Sequence, residues 1–431
     1  MSSRKGAPIA AGSTRLSDDV HLEPDEIGIL TGSHGLAGAM SMRIILAAAR
    51  AQGASRLIPV SAAHVDSCLY HGPSSIDFAK ALLDGGGQVQ VPTTLNVGGI
   101  DLSRPDIFIG SAEERDGSRE LMNCYVQLGC QPTFTCAPYQ LPGRPEPGAD
   151  VAWAESNAIV FGNSMIGLRT NRYGDLIDIC AAITGRVPYS GLHVPENRAA
   201  RAVFTVEPDV QGTDPDLLPA LLGHHVGRRT GSLVPVIDGL QGVDIDEDWG
   251  KSFGSASASS GGVAMFHIAG VTPEAPDLAT SLRGQPPLLE LRIGVADVAQ
   301  AHRELTSAAV DAPLGGVSIG TPHLSRNQLI EMADQLAGRS VRVPTYATSS
   351  RSVFAAEPDA VRSLVASGVT VVADTCTYGP SKVMKPDGAV LTNSAKWAYY
   401  APSHLGFQVL LASRFDCLES AVRGEIVLRH G

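Results

Sequence analysis

Three of the seven cysteines in this 431-residue chain stand where a thiolate can do chemistry. Cys136 lies in the segment TFTCAPY, Cys376 follows an apolar, strand-like run, and Cys417 stands near the start of the last predicted helix. A thiol at a strand end or a helix N-terminus has a lowered pKa, which suits it to metal ligation or nucleophilic attack. Three such thiolates can converge on an iron–sulfur cluster and leave one iron position open for substrate. A buried free cysteine also serves simply as a small apolar side chain, and we assign that role to Cys180.

The same residue types leave two other classes of protein open. A cysteine-nucleophile hydrolase would use Cys136 or Cys376 as its attacking thiolate. The histidines that could serve as its base are His64, His193 and His323. A non-catalytic scaffold subunit is the third possibility. Zinc ribbons and ferredoxin-type clusters are excluded, because the sequence contains no CxxC pair.

A polar, glycine-rich stretch at residues 153–175 is too polar for a core and too rich in glycine for a surface helix. Arg169 and Arg172 offer planar donor forks that match a carboxylate bidentately. Glu155 and Asn157 can orient a hydroxyl or a cluster-bound ligand. The stretch therefore predicts a second site-forming region.

Composition limits the partners and the compartment. The 33 Lys and Arg residues against 44 Asp and Glu give a net charge of −11, and no basic cluster could neutralise a run of phosphates. Residues 1–16 lack the apolar core of a signal peptide, and no segment reaches the roughly 18 consecutive apolar residues of a spanning helix. We therefore expect a cytoplasmic protein with reduced thiols that binds neither nucleic acid nor membrane.

Hydrophobic periodicity predicts an α/β fold of two or three lobes with the active site between them. The N-terminal part shows helices at 38–52 and 75–83 and strands at 56–60 and 88–91. The last third alternates strands and helices more plainly, with strands at 288–293, 316–320, 340–345, 369–373, 389–392 and 407–412 and helices at 295–309, 325–337 and 357–367. We divide the chain into a flexible tail (1–18), an N-terminal α/β region (19–130), a central site-forming region (131–284) and a C-terminal α/β domain (285–431).

Polar residues follow several of these strands, at 321–323, 374–376 and 393–396. Ligands of open parallel sheets bind outside the carboxyl ends of the strands, so these segments predict the lining of a pocket. The segment SFGSASASSGG at 252–262 is either a flexible linker or a loop that offers backbone donors to an anion.

A series of segments, taken in order, resembles the aconitase X family. They are AHVDSCLYHG, PTTLN with the two glycines that follow it, TFTCAPY, WAESNA, GNSMIGLRTNR, GRVPYSGLH, ASSGGVAMFHIAGVTPEA, DTC and TNSAK. The resemblance covers nearly the whole chain after the tail. It implies an iron–sulfur dehydratase related to aconitase, with a multi-lobed architecture in which parallel-sheet βαβ domains surround a central cleft.

The resemblance also implies which residues form the site. Cys136, Cys376 and Cys417 match the cysteines expected to hold the iron–sulfur cluster, of two irons or four. Lys396 and Ser394 match a strand-end motif suited to the substrate carboxylate. We predict catalytic roles for Lys396, Glu155 and His64, and substrate binding by Thr94, Asn96, Ser156, Asn157, Arg169, Arg172 and Ser394.

Members of this family dehydrate either cis-3-hydroxy-L-proline, in bacteria, or a phosphorylated mevalonate, in archaea. The stretch HVDSCLYHG and Thr321 in GTPH resemble the hydroxyproline branch, whose product is Δ1-pyrroline-2-carboxylate. The large subunit of a mevalonate 5-phosphate dehydratase is the alternative. The family also needs a small swivelling domain, often a separate chain, that carries a serine base. The serines of 255–260 match the large-subunit pattern instead, so the resemblance implies a small-subunit partner.

Overall fold

The structure, a computed structural model, describes residues 20–378 and 382–429, so the predicted tail at 1–18 lies outside the described residues. The strands are β1 (Leu57–Pro59), β2 (Ala63–Val65), β3 (Thr93–Leu95), β4 (Ala152–Trp153), β5 (Arg186–Pro188), β6 (Ala202–Val206), β7 (Pro235–Asp238), β8 (His267–Ile268), β9 (Leu289–Ile293), β10 (Leu314–Ile319), β11 (Thr345–Thr348), β12 (Thr370–Val372), β13 (Ala389–Thr392) and β14 (Val409–Leu411).

The helices are α1 (Pro24–Leu30), α2 (Gly35–Ala51), α3 (Pro73–Asp84), α4 (Ala112–Gln127), α5 (Ser156–Phe161), α6 (Ile177–Thr184), α7 (Leu218–Thr230), α8 (Glu247–Gly261), α9 (Leu278–Leu282), α10 (Val295–Leu305), α11 (Arg326–Leu336), α12 (Arg351–Ala356), α13 (Pro358–Ala366), α14 (Ala395–Leu405) and α15 (Arg414–Arg423). Helices and strands alternate along most of the described chain. The predicted α/β class is confirmed.

Three lobes follow from the sheets. The first lobe holds a parallel sheet of order β3-β2-β4 and an antiparallel pair, β1-β5. The second lobe is built on the parallel sheet β8-β7-β6-β9. The third lobe contains the parallel sheet β12-β11-β10-β13-β14. Buried apolar side chains form one core in the first lobe, a second core that the second and third lobes share, and a further core within the third lobe.

Two of the sheets extend across the predicted internal boundaries, which lie between residues 130 and 131 and between residues 284 and 285. Strand β4 completes the first sheet although it lies beyond residue 131, and β9 completes the second sheet although it lies beyond residue 285. The predicted strand at 88–91 is irregular, because the amides of Val89 and Gln90 bond to the carbonyls of Leu128 and Ala182 rather than to a neighbouring strand. Both the boundaries and the fate of residues 88–91 depend on which distant segments pair with each other, and hydrophobic periodicity does not predict that pairing.

The segment at 252–262 is neither linker nor loop, since it forms most of the buried helix α8. Asp246 begins the helix by accepting a hydrogen bond from the amide of Trp249 at 2.8 Å. Its small residues let α8 lie directly on α7. A Cβ added at Gly261 would come 1.7 Å from the carbonyl oxygen of Gly227. Serine and glycine therefore serve close helix packing here, and both interpretations from residue type were wrong.

Candidate active site

The carboxyl ends of strands from the first and third lobes enclose a cavity of about 340 Å³. Asp66, Asn96 and Glu155 follow β2, β3 and β4. Thr321, Cys376 and Lys396 follow β10, β12 and β13 from the opposite side. The remaining described lining residues are Leu69, His71, Val97, Cys136, Ser156, Tyr378, Tyr400 and His404. The predicted position of the site, beyond the strand ends and between lobes, is the position of this cavity.

Two hydrogen bonds join the segments that form the two walls of the cavity. The amide of Gly98 donates to the carbonyl of Asp374 at 2.7 Å, and the hydroxyl of Thr375 donates back to the carbonyl of Gly98 at 2.8 Å. Asp374 itself has a positive φ of 62° and pairs with Arg351. These hydrogen bonds fix the segment after β12 against the first lobe and thereby place Cys376 in the cavity wall.

Two cysteines and a histidine form a buried group of candidate metal ligands. One donor atom each of Cys136, His323 and Cys376 lies within 4.8 Å of the other two. A hydrogen bond from the Cys376 thiol lowers the pKa of Cys136 and raises that of Cys376. The amide of His323 also donates to the sulfur of Cys136 at 3.3 Å. These contacts favour one thiolate, the form that binds a metal.

His323 is held in place by both ring nitrogens. Its Nε2 lies 3.3 Å from the carbonyl oxygen of Thr375, and its Nδ1 lies 3.1 Å from the hydroxyl of Thr135. Because a carbonyl only accepts, Nε2 carries the proton and Nδ1 accepts from Thr135. Burial lowers the pKa of His323 to about 4, so the ring is neutral. Metal ligation by this ring requires one of the two hydrogen bonds to open.

Cys417 does not belong to this group, which corrects the prediction of a third cysteine ligand. Its side chain is fully buried in the apolar core of the third lobe, and its thiol faces the carbonyl of Ala412 at 3.7 Å. Burial raises its pKa well above the ordinary value. The start of α15 points this thiol into the core, so it packs as a small apolar group.

Lys396 and Glu155 form a buried ion pair in the cavity wall. Lys396 is 5% exposed and Glu155 is 6% exposed. Burial lowers the pKa of Lys396, but the charges of Glu155, Tyr378 and Cys136 and the hydrogen bond to Glu155 together outweigh it and raise that pKa. The raised pKa keeps the ammonium charged at neutral pH, and Lys396 lines the cavity. Lys396 also donates to the hydroxyl of Ser156 at 3.4 Å.

Glu155 adopts a strained backbone conformation that aims its carboxylate. Its φ is 71°, a region that non-glycine residues rarely occupy. One carboxylate oxygen accepts from the amide of Ala158 at 2.8 Å and so caps α5, while the other meets Lys396. Strain of this kind persists where surrounding contacts fix it, often at functional sites.

Four of the predicted site residues lie behind the cavity lining and not in it. His64 bonds to the hydroxyl of Thr94 at 2.8 Å, and burial lowers its pKa to about 3, so it is a neutral side chain inside the sheet. Asn157 donates to the carbonyl of Cys136 at 3.0 Å. Ser394 caps α14 by accepting from the amide of Trp397 at 3.0 Å. In this geometry they position cavity residues and do not reach a ligand there.

The two arginines also lie outside the cavity. Arg169 adjoins Asp150, at the end of β4 opposite to Glu155. Arg172 donates to the carbonyl of Gly262 at 2.7 Å and lines a different cavity, of about 560 Å³, between the first and second lobes. Their positions therefore do not support the prediction that these arginines bind a substrate carboxylate bidentately.

Sequence reasoning missed several lining residues. Tyr400 and His404 follow Lys396 at intervals of four on α14, so all three share one helix face. That spacing was a usable signal. The rings of Tyr378 and Tyr400 are stacked with centroids 6.0 Å apart. Nothing in the local sequence marked Tyr378, which reaches the cavity only through the fold.

Asp66 is another missed residue, and its environment is unusual. Its carboxylate accepts a hydrogen bond from the side-chain amide of Asn96, and its own amide donates to Asp178 at 2.7 Å. Burial, followed by the charge of Glu155, raises the pKa of Asp66 to about 7. A carboxyl group that titrates near neutrality and lines a cavity is suited to proton transfer or to binding a cation.

Comparison with known proteins gives the family. Residues 19–196, 200–303 and 314–423 match the family models for the aconitase X first, second and third domains. A cis-3-hydroxy-L-proline dehydratase of Pseudomonas aeruginosa is 42% identical over 94% of this chain and 70% of its own length. A protein of the same name from Hypocrea jecorina is 38% identical, over 95% and 70%.

A phosphomevalonate dehydratase large subunit of Methanosarcina mazei is 31% identical over 94% of this chain and 98% of its own length. The crystal structure of holo-form aconitase X from Thermococcus kodakaraensis superposes with a TM-score of 0.80 at 30% identity, covering 93% of this chain and 100% of that one. Among the described residues, no helix has the length and apolar character needed to span a membrane. The named relatives are dehydratases, so this chain is an enzyme of the hydro-lyase class, and it belongs to the aconitase X family.

Proposed function

We propose that this chain is the large subunit of an iron-dependent dehydratase that eliminates water from cis-3-hydroxy-L-proline, giving Δ1-pyrroline-2-carboxylate. The observation that carries the proposal is the meeting of a thiol pair, Cys136 and Cys376, with the Lys396–Glu155 ion pair in one cavity. The higher identity to the two hydroxyproline dehydratases than to the phosphomevalonate enzyme supports this substrate.

The residues at the thiol pair fit an iron or iron–sulfur group. Cys136 and Cys376 supply two sulfur donors, and His323 is the third candidate donor. They do not fit a cluster held by three cysteines, since Cys417 lies in a separate core. When bound, iron supplies Lewis acidity toward the hydroxyl that leaves the substrate.

The chain's own residues bind and orient the substrate. The ammonium of Lys396 takes the substrate carboxylate, and its raised pKa keeps it charged at neutral pH. A cation beside the carboxylate stabilises the negative charge that develops when the adjacent Cα loses its proton. Glu155 holds Lys396 in place, and the hydroxyl of Ser156 lies beside both.

The base that removes the Cα proton comes, in this proposal, from a small subunit. This chain spans 98% of the phosphomevalonate dehydratase large subunit from Methanosarcina mazei but 70% of the Pseudomonas aeruginosa hydroxyproline dehydratase. The latter therefore carries a further segment, which we infer corresponds to the separate small chain. Loss of a positioned base typically costs about 10²–10⁴-fold in rate, so we expect only slow turnover by the large subunit alone.

The test is anaerobic purification, iron loading and assay of cis-3-hydroxy-L-proline and mevalonate 5-phosphate, with and without the small chain. We expect turnover of the first substrate, which Cys136→Ser or Cys376→Ser abolishes together with iron binding. Cys180→Ser is the matched control and retains both. Turnover of mevalonate 5-phosphate alone would select the alternative substrate. Activity without iron, with one thiol trapped by iodoacetamide, would instead indicate a cysteine hydrolase.

A further inference from the structure

The cavity contains a buried acceptor that no described residue satisfies. Asn96 is 3% exposed, and its Oδ1 has no hydrogen-bond partner within the described ranges. The side-chain NH₂ group of Asn96 donates to Oδ1 of Asp66, which turns the amide oxygen of Asn96 away from that carboxyl group. Oδ1 is thus a buried, unsatisfied acceptor on a residue that lines the cavity. An unsatisfied buried acceptor is costly, which points to a donor that arrives with the ligand.

Asp66 supplies a second acceptor next to this one. Its Oδ1 takes the hydrogen bond from Asn96, which leaves the rest of the carboxylate to the cavity it lines. Glu155, the other carboxylate in the lining, is already paired with Lys396. Asp66 is therefore the carboxylate of the described lining that has no cationic side chain paired with it.

We propose that Asp66 and Asn96 together form the subsite for a secondary ammonium group, and hence select a cyclic amino acid as substrate. A secondary ammonium carries two N–H donors. One meets the Asp66 carboxylate and the other meets Oδ1 of Asn96. This inference rests on the proposed function, because it takes the substrate of the dehydratase to bind in this cavity.

The charges of the cavity support a cationic ligand group and oppose a second anion. No arginine is found among the described lining residues, and Lys396 is the single lysine there. A phosphate group on the substrate would meet Asp66 without a cation of its own beside it. The charged groups that act on Asp66 are Glu155, Asp175 and Asp178, all of them acidic. Burial raises the pKa of Asp66 most, and these charges raise it further. A bound ammonium relieves that repulsion.

The test measures binding by calorimetry with two probes on the full chain. L-proline carries the carboxylate and the secondary ammonium, whereas tetrahydrofuran-2-carboxylate replaces the ammonium with an ether oxygen. We expect wild-type protein to prefer L-proline, and Asp66→Asn to weaken L-proline binding by about 10- to 100-fold, the usual value of a hydrogen bond to a charged group. Affinity for the ether probe should not fall. Asp175→Asn is the control, since Asp175 is exposed and does not line the cavity.

Equal affinity of wild-type protein for the two probes, or no binding of L-proline, would overturn the proposal without any variant. So would an Asp66→Asn protein that binds L-proline normally. Asn96→Ala should likewise weaken the binding of L-proline. Turnover of cis-3-hydroxy-L-proline is assayed separately on the iron-loaded complex. If L-proline binding depends on Asp66 but the complex does not turn over cis-3-hydroxy-L-proline, the dehydratase function is rejected. If the complex turns over this substrate but L-proline binding does not depend on Asp66, only the subsite is rejected.

Discussion

Replacing Asp66 with asparagine should stabilise the protein, and more so as the pH rises. Burial and the charge of Glu155 raise the pKa of Asp66 from 3.8 to about 7. The folded protein therefore keeps this proton up to about pH 7, while the unfolded chain releases it near pH 4. Between those values the native state binds more protons, so this group makes stability fall as pH rises. Asparagine carries no such proton, and the variant loses this pH dependence.

The size of the effect follows from the pKa shift. A change of about three pKa units at about 1.4 kcal/mol each gives about 4 kcal/mol at pH 8. Asp66 faces a cavity, and water there screens part of its charge, so we expect about 2–4 kcal/mol. At pH 4.5 the unfolded chain has already released most of this proton, but the pH is less than one unit above its pKa of 3.8, so the expected gain is only about 1 kcal/mol.

The assay is urea unfolding of wild-type protein and Asp66→Asn, followed by intrinsic fluorescence at pH 4.5 and pH 8. The difference in unfolding free energy between the two proteins should grow with pH as stated. Asp175→Asn, which removes an exposed neighbouring charge, should show much less of this growth. A difference that is the same at both pH values would refute the claim that Asp66 is held protonated by its surroundings.

Three further predictions concern the packing and the ion pair. Cys417→Ser should retain bound iron yet lower stability by about 1–3 kcal/mol, because a hydroxyl replaces a thiol in an apolar core; loss of iron would return Cys417 to the ligand set. Glu155→Gln and Lys396→Met should each cost about 3–5 kcal/mol, and the double variant less than their sum; a double-mutant cycle that is additive would contradict the pairing. Gly261→Ala should cost at least about 1–3 kcal/mol, since its Cβ would overlap a main-chain oxygen of α7. Gly212→Ala, where a Cβ meets nothing within 4 Å, is the control, and equal melting temperatures would show that α7 and α8 can separate without cost.

Local signals in the sequence located much of the site. Polar residues after apolar strands marked Cys376 and Lys396, because parallel strands end at a common edge where side chains can converge. The polar, glycine-rich stretch at 153–175 marked Glu155. The periodicity of the last third gave its alternation of strands and helices, and the observed strand β13 has the predicted bounds of 389–392. Ordered motif segments indicated the family, which the domain matches confirm.

Tertiary structure decided what local patterns do not encode. Sequence placed Cys417 with Cys136 and Cys376 on residue type and resemblance, but only the packing of α15 shows that its thiol faces a core. Residue type also made 252–262 a linker or a loop, whereas contact with α7 makes it a helix, since small residues are needed wherever two backbones nearly touch. Asp66 was not singled out at all, because its raised pKa arises from burial and from charges brought close by the fold. The sequence determined which chemistry was available, and the pairing of distant strands and helices determined which of those groups meet.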